Sequence, residues 1–351
     1  MEDTEKGHAS PYPKIELHVH LEATVRPERL LEIASRNGFD LPARTVEGLR
    51  DLYRFRDFDH FIEIWILTTN ALRMEADFRE IVVDYAEEAA RHGAVYIEGI
   101  FSPIERTWRG VRWEDMLEGY CSGAEEAKER HGVEVRLTPD ITRGAELADG
   151  VELVRRAVPY RERGIVGIGL GGEEALHPPE KFEHAFRLVR EEGFGSVPHA
   201  GEVVGPASIW GAIEVLDADR VRHGIRAVED PDLVRELAER EIVLDVTPVS
   251  NVRTGVVRSL DAHPLPELVA AGIPCTVSTD DPEMFDTDLT REYEAVAALG
   301  LHPRGFYEAA VKGALCGEEL RAELRRIGES YEWESLPGAP GETESVPSEA
   351  H

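Results

Sequence analysis

Eight short strand-like segments, separated from one another by helix-like stretches, constrain this chain more than any other feature. They are Ile15 to His20, Val95 to Phe101, Glu134 to Thr138, Ile165 to Leu170, Gly195 to His199, Arg220 to His223, Ile242 to Val246 and Pro274 to Ser278. Short runs rich in Val and Ile read as strands, and strands that alternate with helices build a parallel sheet with helices outside. The helical stretches carry their own punctuation. Pro27 opens one over 27 to 36 that Asn37-Gly38 closes, and Pro231 stands near the start of another over 230 to 240. The pattern predicts an α/β fold, a single (β/α)8 TIM barrel over 13 to 326, which places its site at the C-terminal ends of the strands. The stretch between strands one and two, about 41 to 91, exceeds one crossover helix and predicts extra helices over the barrel mouth. Its Phe55, Phe58, Phe61 and Trp65 read either as an apolar lid or as a helix face packed on the barrel. Residues 1–12 are polar, and after Arg326 the composition shifts to Glu, Ser, Pro and Gly, so 1–12 and 327–351 read as disordered segments.

A formal net charge of −30 repels phosphate backbones and anionic lipid, which excludes a nucleic-acid or membrane partner at the level of the whole surface. No run of about 18 apolar residues occurs and the N-terminus lacks a signal-peptide pattern, so a cytoplasmic location is expected. Cys121, Cys275 and Cys316 have no Cys-x-x-Cys spacing and support neither a disulfide framework nor a cysteine metal site.

Four strand ends carry the chemistry. His18 and His20 lie in Ile15-Glu-Leu-His-Val-His-Leu-Glu-Ala23, where period-2 alternation turns both imidazoles to one face. The others are Pro198-His-Ala-Gly-Glu202, Arg222-His-Gly224 and Ser278-Thr-Asp-Asp-Pro282. Neutral imidazoles and a carboxylate suit Zn²⁺ with room for a water, and the candidate ligands are His18, His20, His199 and Asp280. Singly each motif is weak, since strand-end histidines are commonly core residues and Asp-Asp-Pro is an ordinary turn. Together and in this order they are strong.

With these motifs, and with Gly167-Ile-Gly-Leu-Gly-Gly-Glu-Glu174 and Thr247-Pro-Val-Ser-Asn251, the chain resembles the adenosine deaminase family over about residues 13 to 325. The resemblance implies a metal-dependent hydrolase of the TIM-barrel type, holding one Zn²⁺ per chain and removing the 6-amino group of a small purine. It implies that Glu202 protonates purine N1, that His223 stabilises the attacking hydroxide and serves as base, and that Asp281 meets N7. It implies further that the backbone at Gly172 approaches the purine, that Glu22 lies toward the sugar side, and that Phe58 and Phe61 belong to the lid. Ser250 and Asn251 read either as supports for Asp280 or His223 or as turn residues. Four positions depart from the family pattern: Ala23 for the usual Gly, Gly169 for a frequent Asp, Ile100 for a common Arg and Thr247 for the usual Cys.

The chemistry follows from these groups. Hydrolytic deamination needs a nucleophilic hydroxide at neutral pH, which Zn²⁺ supplies by acidifying water, and a proton donor with a raised pKa. A dinuclear hydrolase with a bridging lysine is disfavoured, because Lys6, Lys14, Lys128, Lys181 and Lys312 all lie away from the end of strand four. The His-x-Glu with Pro-Cys-x-x-Cys signature of base deaminases is absent. A non-catalytic zinc-binding protein has no need of Glu202, His223 and Asp281. The expected reaction is deamination of a 6-aminopurine nucleoside, adenosine or 2'-deoxyadenosine first, with adenine and aminodeoxyfutalosine as alternatives.

Overall fold

Parallel strands buried on both faces need a helix after each one, and the chain supplies them in strict alternation. The computed structural model describes residues 11–336. Its eight strands are β1 (Lys14–His20), β2 (Ala94–Phe101), β3 (Glu134–Thr142), β4 (Gly167–Gly171), β5 (Gly195–Ala200), β6 (Arg220–His223), β7 (Val243–Val246) and β8 (Cys275–Val277). They pair in sequence order, all parallel. The circle closes at the site itself: Val19 bridges Asp280, the His20 amide donates to the Asp280 carbonyl at 2.8 Å, and the Asp280 amide to the His18 carbonyl at 3.1 Å.

Between β1 and β2 lie four helices, α1 (Pro27–Arg36), α2 (Val46–Leu52), α3 (Phe58–Thr69) and α4 (Glu75–Arg91). Asp57 caps α3 by accepting from the His60 amide at 2.9 Å, which starts the helix at Phe58. Phe61, Ile64 and Trp65 of α3 are buried against Met284 and Phe285 beyond β8, so this helix lies across the mouth. The register of β1 shifts between Glu16 and Val19, where the amides of Leu17 and His18 both donate to Ser278 Oγ, at 3.1 and 3.2 Å. Such a bulge beside a site re-aims the following side chain, here His18.

Two boundaries differ from the sequence reading by more than two residues. β3 runs four residues beyond Thr138, because Pro139 and the residues after it still pair, Asp140 opposite Gly169 and Thr142 opposite Gly171. The segment expected to be disordered from 327 is instead helical to Glu329, with a short turn at Trp333–Ser335. Trp333 is only 4% exposed, donates from Nε1 to the Gly328 carbonyl at 2.8 Å and packs on Tyr12 and Tyr307. Burial of one large indole holds ten residues that composition alone placed outside the fold. The remaining calls on 1–10 and 337–351 lie outside the described residues. Among the described residues, no helix is long and apolar enough to cross a membrane.

Candidate active site

Period-2 alternation in β1, and the ends of β5 and β8, bring four donor atoms together. His18 Nε2 lies 3.1 Å from His199 Nε2 and 3.1 Å from Asp280 Oδ1. His20 Nε2 lies 3.2 Å and 3.4 Å from the same two atoms. A tetrahedral zinc with bonds of about 2.0–2.1 Å has ligand-to-ligand edges of about 3.3–3.4 Å, so the spacing suits the ion. The tautomers agree. His18 Nδ1 faces the Asp245 carbonyl at 3.3 Å and His199 Nδ1 the Leu170 carbonyl at 3.0 Å. A carbonyl only accepts, so each Nδ1 carries its proton and each Nε2 turns a bare lone pair toward the other. Lone pairs facing one another, a carboxylate oxygen among them, repel unless a cation lies between. Burial holds His199 well below the usual histidine range and His20 down to about 3, so both rings are neutral. Burial pushes Asp280 up, but the surrounding His18, His223 and His20 outweigh it and hold the carboxylate low. His223 also offers a ring nitrogen, within 4.8 Å of the donors of His18, His199 and Asp280.

Three further groups surround this cluster. Glu202 Oε2 and His223 Nε2 are 3.6 Å apart, and His223 Nε2 lies 3.9 Å from Asp280 Oδ2. Burial, then the Asp280 and Glu174 charges, raise Glu202 well above the usual carboxylate range. Asp281 is raised likewise by burial and by Asp280, while its Oδ1 accepts from Trp65 Nε1 at 2.9 Å. Ser250 Oγ donates to Asp280 Oδ2 at 2.6 Å, and the Asn251 amide reaches His223 Nδ1 at 3.3 Å. His223 and Asp280 both sit at positive φ, 63° and 67°. Non-glycine residues in that region cost free energy, and they cluster where a side chain must be aimed.

A cavity of about 330 Å³ opens above the cluster, lined by His20, His199, Glu202, His223, Asp280 and Asp281 at one end. Phe58, Phe61, Ile62, Trp65, Ile66 and Trp108 supply the apolar part of the lining, and Gly172 lines the cavity as well. Both readings of the aromatic run hold in part: Phe61 lines the cavity and packs on Phe285, with centroids 5.0 Å apart, whereas Phe55 only packs, on Phe61 and Phe285. Glu22 does not line the cavity. The short turn Leu21–Ala23 buries its carboxylate, 3% exposed, where Oε1 accepts from the Ser102 amide at 2.8 Å beneath the lining instead of on it.

Sequence reasoning passed over three residues. Glu174 accepts from the amides of Gly201, Val203 and Val204 at 2.5, 2.8 and 2.9 Å, and so shapes the loop carrying Glu202. Gly201 in that loop has φ 70°, and a Cβ there would lie 2.3 Å from Ile209, so only glycine allows the turn. Asp140 fills the space left by Gly169: a Cβ at 169 would lie 2.0 Å from Asp140 Oδ1 and 2.3 Å from Arg222 Nη1. Asp140 pairs with Arg222 at 2.5 Å, and its Oδ2 lies 3.4 Å from His199 Nδ1. His263 contacts Asn251 from behind, Nε2 to Oδ1 at 3.1 Å. Glu174 stood within a quoted motif, while Asp140 looked like a turn after Pro139 and His263 had no motif at all.

Comparison with known proteins agrees with this geometry. A family model described as adenosine deaminase matches residues 13–327. An aminodeoxyfutalosine deaminase of Acidothermus cellulolyticus is 54% identical over 328 residues, covering 92% of each chain. An adenine deaminase of Streptomyces coelicolor is 37% identical over 327 residues, covering 92% of this chain and 96% of the relative. Among solved structures, adenine deaminase from Arthrobacter aurescens superposes with a TM-score of 0.88 at 31% identity, covering 93% of this chain and all (100%) of that one. An amidohydrolase from Burkholderia ambifaria solved with bound zinc gives 0.84 at 26% identity, covering 92% and 91%.

Proposed function

The chain belongs to the adenosine deaminase family, and on that footing we propose that it removes the exocyclic amine of a 6-aminopurine by hydrolysis, with aminodeoxyfutalosine as its substrate. The observation that carries the reaction is the convergence of four metal-donor atoms at 3.1 to 3.4 Å with Glu202, His223 and Asp281 around one end of one cavity. His18, His20, His199 and Asp280 would hold the zinc ion, which supplies the Lewis acidity that makes water nucleophilic at neutral pH.

The residues divide the remaining work. Glu202, kept protonated by burial and by its carboxylate neighbours, gives its proton to ring N1 and makes C6 electrophilic. His223 points Nε2 toward Glu202 and Asp280, where it meets the attacking oxygen. Trp65 occupies one oxygen of Asp281, which leaves the other, protonated by the same burial, to donate to N7. Gly172 lets its backbone lie along the ring. The apolar wall from Phe58 to Trp108 covers the ring face and excludes water.

Adenosine, the first expectation from sequence, yields to aminodeoxyfutalosine because a relative of that name matches at 54% over nearly the whole of both chains. Adenine is the second reading, supported by the names of relatives near 37% identity. Glu22, expected toward the sugar side, lies off the cavity lining and favours neither reading. Ammonia release by the zinc-loaded protein on aminodeoxyfutalosine, adenine, adenosine and 2'-deoxyadenosine tests the proposal. A kcat/KM for aminodeoxyfutalosine at least tenfold above the others is expected, about 1.4 kcal/mol in transition-state binding. Preference for adenine moves the assignment to the second reading, and silence on all four returns the chain to the zinc-binding alternative.

A further inference from the structure

We propose that His263 is a positioning residue for this reaction: through Asn251 it holds His223 in the tautomer that carries its proton on Nε2. His263 lies well outside the cavity lining, is 4% exposed, and follows the helix Pro248–Arg253 that carries Asn251. Its role is set by a chain of donors whose direction only one backbone group decides.

The Leu265 amide donates to His263 Nδ1 at 3.1 Å, and an amide N–H only donates, so that ring nitrogen is an acceptor. Burial lowers the His263 pKa to about 4, so the ring is neutral and its single proton sits on Nε2. His263 Nε2 therefore donates to Asn251 Oδ1, 3.1 Å away, which orients the amide. The Asn251 NH₂ is then the group that faces His223 Nδ1 at 3.3 Å. A donor facing Nδ1 makes that nitrogen an acceptor. The Thr247 hydroxyl, 3.2 Å from the same nitrogen, adds a second group able to donate. An imidazole whose Nδ1 accepts carries its proton on Nε2, the atom that points at Glu202 and Asp280.

The consequence is chemical. A His223 with Nε2–H donates a hydrogen bond to the oxygen that attacks C6 and has no lone pair there with which to take a proton. Its part is that of a fixed donor placed where charge develops. The base role carried over from the family resemblance then falls to the Asp280 carboxylate, the one of the three that donates to neither N1 nor N7.

The test reads the tautomer directly, by ¹⁵N NMR of the zinc-loaded, histidine-labelled protein, with kinetics and zinc content measured beside it. The unmodified protein is expected to show His223 protonated on Nε2. His263→Phe keeps a ring in the space but frees the Asn251 amide to turn, so a population protonated on Nδ1 should appear. Turnover should then fall roughly 10- to 100-fold, the usual effect of losing an outer-shell partner, with KM nearly unchanged and one zinc per chain retained. Asn251→Asp reads the same relay without touching His263: a carboxylate cannot donate to Nδ1, and His223 should shift to the Nδ1–H form. The kinetic arm rests on the deaminase reading, whereas the NMR arm does not, so failure of one is distinguishable from failure of the other. Finding Nδ1–H in the unmodified protein, or Nε2–H unchanged in both variants, overturns the proposal.

Discussion

Replacing Glu202 by Gln isolates the proton that the proposed reaction delivers to the ring. The residue is 9% exposed, and His223 Nε2 lies 3.6 Å from its Oε2. Glutamine fills the same volume and keeps the hydrogen-bonding reach, so packing and ground-state binding change little. What it lacks is a transferable proton. Loss of a positioned general acid costs about 10² to 10⁴ in rate, and at about 1.4 kcal/mol per decade this is roughly 3 to 5 kcal/mol of transition-state stabilisation. The four atoms proposed to hold zinc belong to other residues, so zinc content should stay at one per chain. The pH profile gives a second readout. Because burial and the Asp280 and Glu174 charges raise the Glu202 pKa, the acid form persists above the usual carboxylate range, and kcat/KM should fall as pH rises through the raised pKa. The Gln variant, with nothing to ionise there, should lose that alkaline limb. Steady-state ammonia release from pH 5 to 10, with zinc determined on the same samples, measures both. Turnover within tenfold of the parent, with the limb still present, would refute the proton-donor assignment.

Other perturbations bear on neighbouring parts of the account. Trp65→Phe removes the donor to Asp281 Oδ1 and leaves a buried carboxyl oxygen unpaired, at a cost of about 1–3 kcal/mol. KM should rise about tenfold if that energy appears in substrate binding, and an unchanged KM argues against Asp281 at N7. Gly169→Asp should melt several degrees lower, because its Cβ would sit 2.0 Å from Asp140 Oδ1 and overpacking of this kind costs about 1–3 kcal/mol or more. A parent-like melting temperature would show that Asp140 does not occupy that space. Removal of zinc by a chelator should destabilise the fold by about 4 kcal/mol relative to protein held at a free zinc concentration a thousandfold above Kd, as read by calorimetry. Identical curves with and without zinc would contradict the donor cluster.

What could be read from the chain follows from which physical signals are local. The eight strands and their order came from short-range hydrophobic pattern, and β6 and the first helix coincide with their expected bounds. His18, His20, His199 and Asp280 were legible because each stands at a strand end, and a barrel gathers strand ends on one rim. Asp140 was not, since Pro139 mimics a turn and only the pairing of β3 with β4 carries the strand past it. The direction of Glu22 depended on a three-residue turn whose outcome is set by Ser102, 80 positions away. Trp333 misled in the opposite sense: a polar, proline-containing surrounding outweighed the one side chain that docks. His263 was silent in sequence, because its significance lies wholly in the direction of hydrogen bonds that the Leu265 amide decides.

The central claim is that water adds to C6 of a purine in this cavity, and the most direct test observes that carbon. The 6-unsubstituted purine analogue of whichever substrate turns over fastest, enriched with ¹³C at C6, is bound to the zinc-loaded protein and examined by NMR. An enzyme complementary to the transition state should bind the hydrated, tetrahedral form, so the C6 resonance should move from the aromatic to the sp³ region and the analogue should bind at least 100-fold more tightly than the deaminated product. An aromatic C6 signal in the saturated complex, with affinity no better than that of the product, would contradict it.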